Sequence, residues 1–114
     1  MVIAYNNLGI SYYKLLEYKK AIKIFTKCLK VNPEYIHAYN NRGIVFKNTG
    51  QWNLSIQDYN RAIKLNDKYG ASYENRGNTY QSMGKMDKAC ADWKKAASLG
   101  YVNARKRLEE HCNK

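Results

Sequence analysis

Apolar side chains along this chain return at helical spacing. Tyr5, Leu8, Gly9 and Tyr12 fall at i, i+3, i+4 and i+7, the positions that line one face of a helix. Ala21, Phe25, Cys28 and Leu29 make a second such face. Further along, Gly50 and Gly84 break the pattern, where glycine can take the left-handed conformation that ends a helix. Leu16 holds that place in the first segment, so its helix end is expected to be less sharply defined. Asn32-Pro33 closes the segment, because the residue before proline avoids the α region. The unit this predicts is a helical hairpin.

The unit recurs. YNNLG begins at residue 5, YNNRG at 39 and YENRG at 73, a step of 34 each time. At that step Tyr12, Phe46 and Tyr80 align, as do Phe25, Tyr59 and Trp93, then Ala21, Ser55 and Ala89, and Cys28, Ala62 and Ala96. Large residues meet large and small meet small, as repeated packing layers require. Gly9, Gly43 and Gly77, lacking a Cβ, are expected to let the two helices of each hairpin approach closely. Tyr5, Tyr39 and Tyr73 are expected to fill the space between neighbouring hairpins.

The series Tyr5, Leu8, Gly9, Tyr12, Ala21, Phe25, Cys28 and Pro33, repeated with variations over roughly Val2 to Asn103, resembles the tetratricopeptide repeat. The resemblance implies an all-α, right-handed α-solenoid of three helical hairpins plus a C-terminal capping helix. The whole chain, 1–114, would form one domain. Its repeats would span about 2–35, 36–69 and 70–103, with the capping helix at about 102–112. Ala104, Leu108 and Cys112, recurring at i+4, give that last helix one apolar stripe suited to covering the final repeat.

Stacked hairpins curve, and the first helix of each unit lines the concave side. The groove-facing positions left over by the packing motif are Ile3, Asn6, Ile10, Tyr13 and Lys14; then His37, Asn40, Ile44, Lys47 and Asn48; then Ala71, Glu74, Asn78, Gln81 and Ser82. Asn7, Asn41 and Asn75 form a ladder at the groove edge. The resemblance implies a non-catalytic adaptor that binds a peptide or helical segment of another protein there. Ile3, Ile10, Tyr13 and Ile44 are apolar residues the hairpin core does not require, and grouped apolar residues often mark a binding surface. One subclass clamps a C-terminal carboxylate with Lys, Asn, Asn, Lys and Arg. Those places hold Asn6, Ile10, Asn41, Ala71 and Asn75 here, so all three clamp charges are missing and a chaperone-tail receptor is disfavoured.

Two charge pairs test the hairpin. Arg42 and Asp58 lie eight residues either side of Gly50, and Arg76 and Asp92 eight either side of Gly84. An antiparallel hairpin brings each pair level. In the first unit both equivalents, Leu8 and Ile24, are apolar.

The net charge is +11. Much of it falls on the second helix of the first unit, where Lys19, Lys20, Lys23, Lys27 and Lys30 have no acid among them and are expected on the convex side. A basic scaffold binding nucleic acid or an acidic protein or membrane surface is the alternative function. No aromatic residues alternate with these lysines as in single-strand binders. There is no apolar run long enough to span a membrane and no secretory leader. Cys28, Cys90 and Cys112, an odd number without a CxxC pair, suggest reduced thiols and a cytoplasmic setting. Cys28 is read as a buried core residue, and a Cys90–Cys112 bridge is conceivable if the cap folds back. His37 and His111 are the only histidines, no catalytic or nucleotide motif occurs, and no metal or cofactor is expected. The first helix is expected to start almost at Met1 without an N-cap, either as a frayed chain start or as the cut end of a longer repeat protein, and its edge is open to self-association.

Overall fold

The computed structural model describes residues 1–112, and every element among them is helical. The helices are α1 (Val2–Lys14), α2 (Tyr18–Val31), α3 (Ile36–Asn48), α4 (Trp52–Leu65), α5 (Gly70–Ser82), α6 (Met86–Ser98) and α7 (Val102–His111). They pair as α1/α2, α3/α4 and α5/α6, and α7 lies against α6. The first helices of successive hairpins also touch, α1 with α3 and α3 with α5. These helices therefore form an inner row, in an all-α solenoid of 44 × 25 × 21 Å.

Close approach within each hairpin has a visible cause. A Cβ on Gly43 would stand 2.7 Å from Tyr59 Cε1, and one on Gly77 would stand 2.7 Å from Trp93 Cδ1. Phe25 occupies the same place under Gly9. Phe25, Tyr59 and Trp93 are in consequence almost wholly buried. Tyr39 and Tyr73 pack in the core and donate their hydroxyls to the turn carbonyls of Pro33, at 2.8 Å, and Asp67, at 3.0 Å.

The turns follow two designs. After α3, Gly50 at φ 77° allows its own N–H to reach Lys47 O and lets the Gln51 N–H reach Phe46 O at 2.8 Å. The same pair of bonds closes α5 at Gly84 and α6 at Gly100. At α1 the left-handed residue is Leu16, φ 61°, and its turn is as sharply made as the others, contrary to expectation. Glu17 N–H donates to Tyr12 O at 2.9 Å and Leu16 N–H to Tyr13 O at 2.9 Å. Those bonds and the hairpin packing outweigh the roughly 1–2 kcal/mol that a side chain costs in this conformation. In the second design, the Asn32 and Asn66 side chains accept from the N–H groups of Glu34 and Lys68, each at 3.0 Å. Gly100 stands at the next step of 34.

The cysteine expectation needs correcting. Cys90 on α6 and Cys112 at the end of α7 form a disulfide, with Cα atoms 5.9 Å apart. α7 folds back along α6, which brings together two residues 22 apart in sequence. With Cys90 and Cys112 bridged, the cysteines do not point to a reducing compartment. Cys28 is the free thiol and is fully buried. Its Sγ donates to Val2 O at 3.4 Å, and burial pushes the thiol pKa up. No helix among the described residues is long and apolar enough to cross a membrane.

Candidate functional site

Both charge pairs form as bidentate bridges. Arg42 donates Nε to Asp58 Oδ2 at 2.8 Å and Nη2 to Oδ1 at 2.7 Å, and Arg76 meets Asp92 at the same two distances. A third arm escaped the sequence reading. Arg42 Nη1 reaches Thr26 Oγ1 at 3.1 Å, and Arg76 Nη1 reaches Asn60 Oδ1 at 2.9 Å. Each guanidinium thus ties its own hairpin to the one before. Burial pushes the Asp58 carboxyl up, with Arg42 opposing. The hydrogen bond to Asp92 raises Arg76 above its ordinary range, against the effect of burial.

The inner row brings part of the expected groove together. Ile10, Tyr13 and Lys14 of α1, Phe25 of α2, and Asn41 and Ile44 of α3 line a mostly apolar cavity of about 190 Å³. Tyr13 is held at its rim by Asn48, whose Nδ2 donates to the phenol oxygen at 2.9 Å.

Several groove asparagines turn inward instead. Asn6 is 8% exposed and accepts Asn41 Nδ2 at 3.0 Å, while Asn40 is 5% exposed and accepts Ser72 Oγ at 2.9 Å. These bonds run between successive first helices and set their spacing. Asn78 accepts Trp93 Nε1 at 3.1 Å and so serves its own hairpin. Ile3, Asn7 and His37 are exposed; Lys47, Glu74 and Asn75 are half-buried. His37 lies between the Tyr35 and Tyr69 rings, with centroids 5.6 and 5.7 Å away. Asn40 Nδ2 and Glu74 Oε2 are buried without a hydrogen-bond partner among the described residues.

The lysines of α2 are all exposed. Lys20, Lys23 and Lys27 gather with Tyr12 and Ile24 around a depression of about 240 Å³, and Lys20 Nζ lies 5.7 Å from the centre of the Tyr12 ring. Lys19 lies towards the α1–α2 turn, beside Leu16 and Glu17.

Tetratricopeptide repeat models match residues 2–35 and 70–99, and a TPR repeat model matches 45–84. No curated protein matches the chain. Among solved structures, the first TPR domain of human RPAP3 is 24% identical, with a TM-score of 0.92 over 96% of this chain and 88% of that one. The Arabidopsis OM64 TPR domain is 26% identical, with a TM-score of 0.87 over 96% of this chain and 95% of that one. The Yersinia enterocolitica type III secretion translocator chaperone SycD shares the fold at 16% identity, with a TM-score of 0.90 over 96% and 88% of the two chains. By its repeat period, its hairpin packing and these matches, the chain belongs to the tetratricopeptide repeat family.

Proposed function

We propose that this chain is a non-catalytic adaptor that holds a segment of another protein in its inner groove. The observation that carries this reading is the apolar cavity between α1 and α3. Ile10, Tyr13 and Ile44 line a space of about 190 Å³, which suits one aliphatic side chain of a partner.

A related solved structure, the first TPR of Spaghetti (RPAP3), is bound to the HSP90 peptide SRMEEVD. The present groove has Asn6, Ile10, Ala71 and Asn75 at four of the five places where a carboxylate clamp would stand. Recognition here rests on an internal apolar anchor and not on a terminal carboxylate.

A random peptide library displayed on phage, selected against this chain, tests the reading. The expected outcome is a set of peptides sharing a large aliphatic residue. Their binding should fall at least about tenfold on Ile10→Glu/Ile44→Glu, a loss of roughly 1.4 kcal/mol. A Lys19/Lys23/Lys27→Glu variant should retain them. Peptides that bind the groove variant equally well, and the lysine variant poorly, overturn the proposal.

A further inference from the structure

Successive hairpins are tied together by side-chain hydrogen bonds, from Arg42 to Thr26, Arg76 to Asn60, Asn41 to Asn6 and Ser72 to Asn40. α7 is attached differently. Among the described residues, no side chain caps its start, and its His111–Glu110 contact at 3.7 Å lies within the helix itself. Ala104 is fully buried, Leu108 is half-buried, and His111 and Arg107 lie near the Trp93 ring, 5.7 and 5.9 Å from its centre. Arg107 Nε is buried without a hydrogen-bond partner among the described residues. Beyond this packing, the covalent bridge from Cys112 to Cys90 is what fastens the end of α7 to the third hairpin.

That bridge is within reach of solvent. Both cysteines are half-buried, and both line an open depression of about 480 Å³ between α6 and α7, together with Lys94, Arg105 and Glu109. Two cations stand there against one acid. Lys94 follows Cys90 by one turn on the same face of α6. A nearby ammonium stabilises a thiolate, so Cys90 is the better leaving group, and Cys112, at the end of α7, is the sulfur to attack. Cys28 is fully buried and takes no part.

We infer that the Cys90–Cys112 bridge is a thiol–disulfide exchange site that opens in the folded protein, with a small anionic thiol as its reactant. Opening it loosens α7 while the three hairpins stay folded. The reagent thiolate attacks Cys112 Sγ and bonds to it. The Cys90–Cys112 bond breaks, and its electron pair leaves on Cys90 Sγ, which takes a proton from solvent. A second thiolate attacks the reagent sulfur of this mixed disulfide and releases Cys112 as a thiolate, which is protonated likewise. The two cysteines gain two electrons, and two reagent thiols are oxidised to one disulfide. The site is separate from the inner groove and stands whether or not a peptide binds there.

The test uses the oxidised chain in native buffer, with glutathione as the anionic thiol and cysteamine as the cationic one, compared at equal thiolate concentration. Freed thiols are trapped with iodoacetamide and located by peptide mass mapping. The expected result is labelling of Cys90 and Cys112 with Cys28 untouched, and a glutathione adduct trapped on Cys112. Glutathione should react at least about threefold faster than cysteamine, and Lys94→Glu/Arg105→Glu should remove that advantage. Hydrogen exchange in α7 should quicken at least about tenfold on reduction, with α1 to α5 unchanged. Cys90→Ser/Cys112→Ser should show the same fast exchange with no thiol added. A bridge that yields only in urea, labelling of Cys28 alongside the other two, or equal rates for the two thiols overturns the inference. So does an α7 whose exchange is the same before and after reduction.

Discussion

Tyr59 illustrates how much a single side chain settles. Its ring lies against Gly43, and its hydroxyl is buried with no hydrogen-bond partner among the described residues. The neighbouring Ser55 and Thr79 hydroxyls bond each other at 3.1 Å. Burial pushes the phenol pKa far up, with Ser55 and Thr79 opposing. Because the folded value is raised, stability from the neutral phenol is complete below the unfolded value of about 10 and falls as pH rises beyond it. Tyr59→Phe removes a buried unpaired group, so we expect stability at pH 7 to be unchanged or higher by up to about 1 kcal/mol. Its loss of stability above about pH 10 should also be shallower than that of the parent chain. Urea unfolding at neutral and alkaline pH measures both.

At this scale the sequence was readable wherever two positions changed together. Arg42–Asp58 and Arg76–Asp92 appear as charges, and Leu8 and Ile24 as their apolar counterpart, so the partnership shows at a step of 34. The third arm to Thr26 or Asn60 did not show, since those two residues share only a hydroxyl or amide oxygen. Asn6 and Asn40 looked like groove lining because their helix face is the inner one. The curvature turns that face against the next helix, where a short amide bridges better than it projects.

Among elements, the α1–α2 turn is the outlier. The sequence showed the absence of glycine at position 16, but not that the turn would form regardless. Backbone bonds to Tyr12 and Tyr13 hold Leu16 at φ 61°. Leu16 is 71% exposed, so replacing it sacrifices little burial. Leu16→Gly should therefore raise stability by about 1 kcal/mol, offset in part by the greater freedom of glycine in the unfolded chain. Thermal unfolding checks it, and a lower Tm would show that Leu16 contributes packing. The turn from the third hairpin into α7 differs from the two inter-hairpin turns. Gly100 changes its design from the asparagine-braced one, and the disulfide follows from the way α7 then lies along α6.

For the whole molecule, period and packing pattern were enough to read the solenoid, because each hairpin repeats the same contacts with its neighbours. The groove was legible only in outline. Sequence places Ile10, Tyr13 and Ile44 on the inner row, but how closely α1 meets α3 determines that they share one cavity. We propose that the inner row holds a segment of a partner protein. The most direct test is a ¹⁵N NMR titration with the strongest peptide selected against the chain. Amide shifts are expected to concentrate on α1 and α3, around Ile10, Tyr13, Asn41 and Ile44. Shifts confined to α2, α4 and α6, with the inner row unmoved, would contradict it.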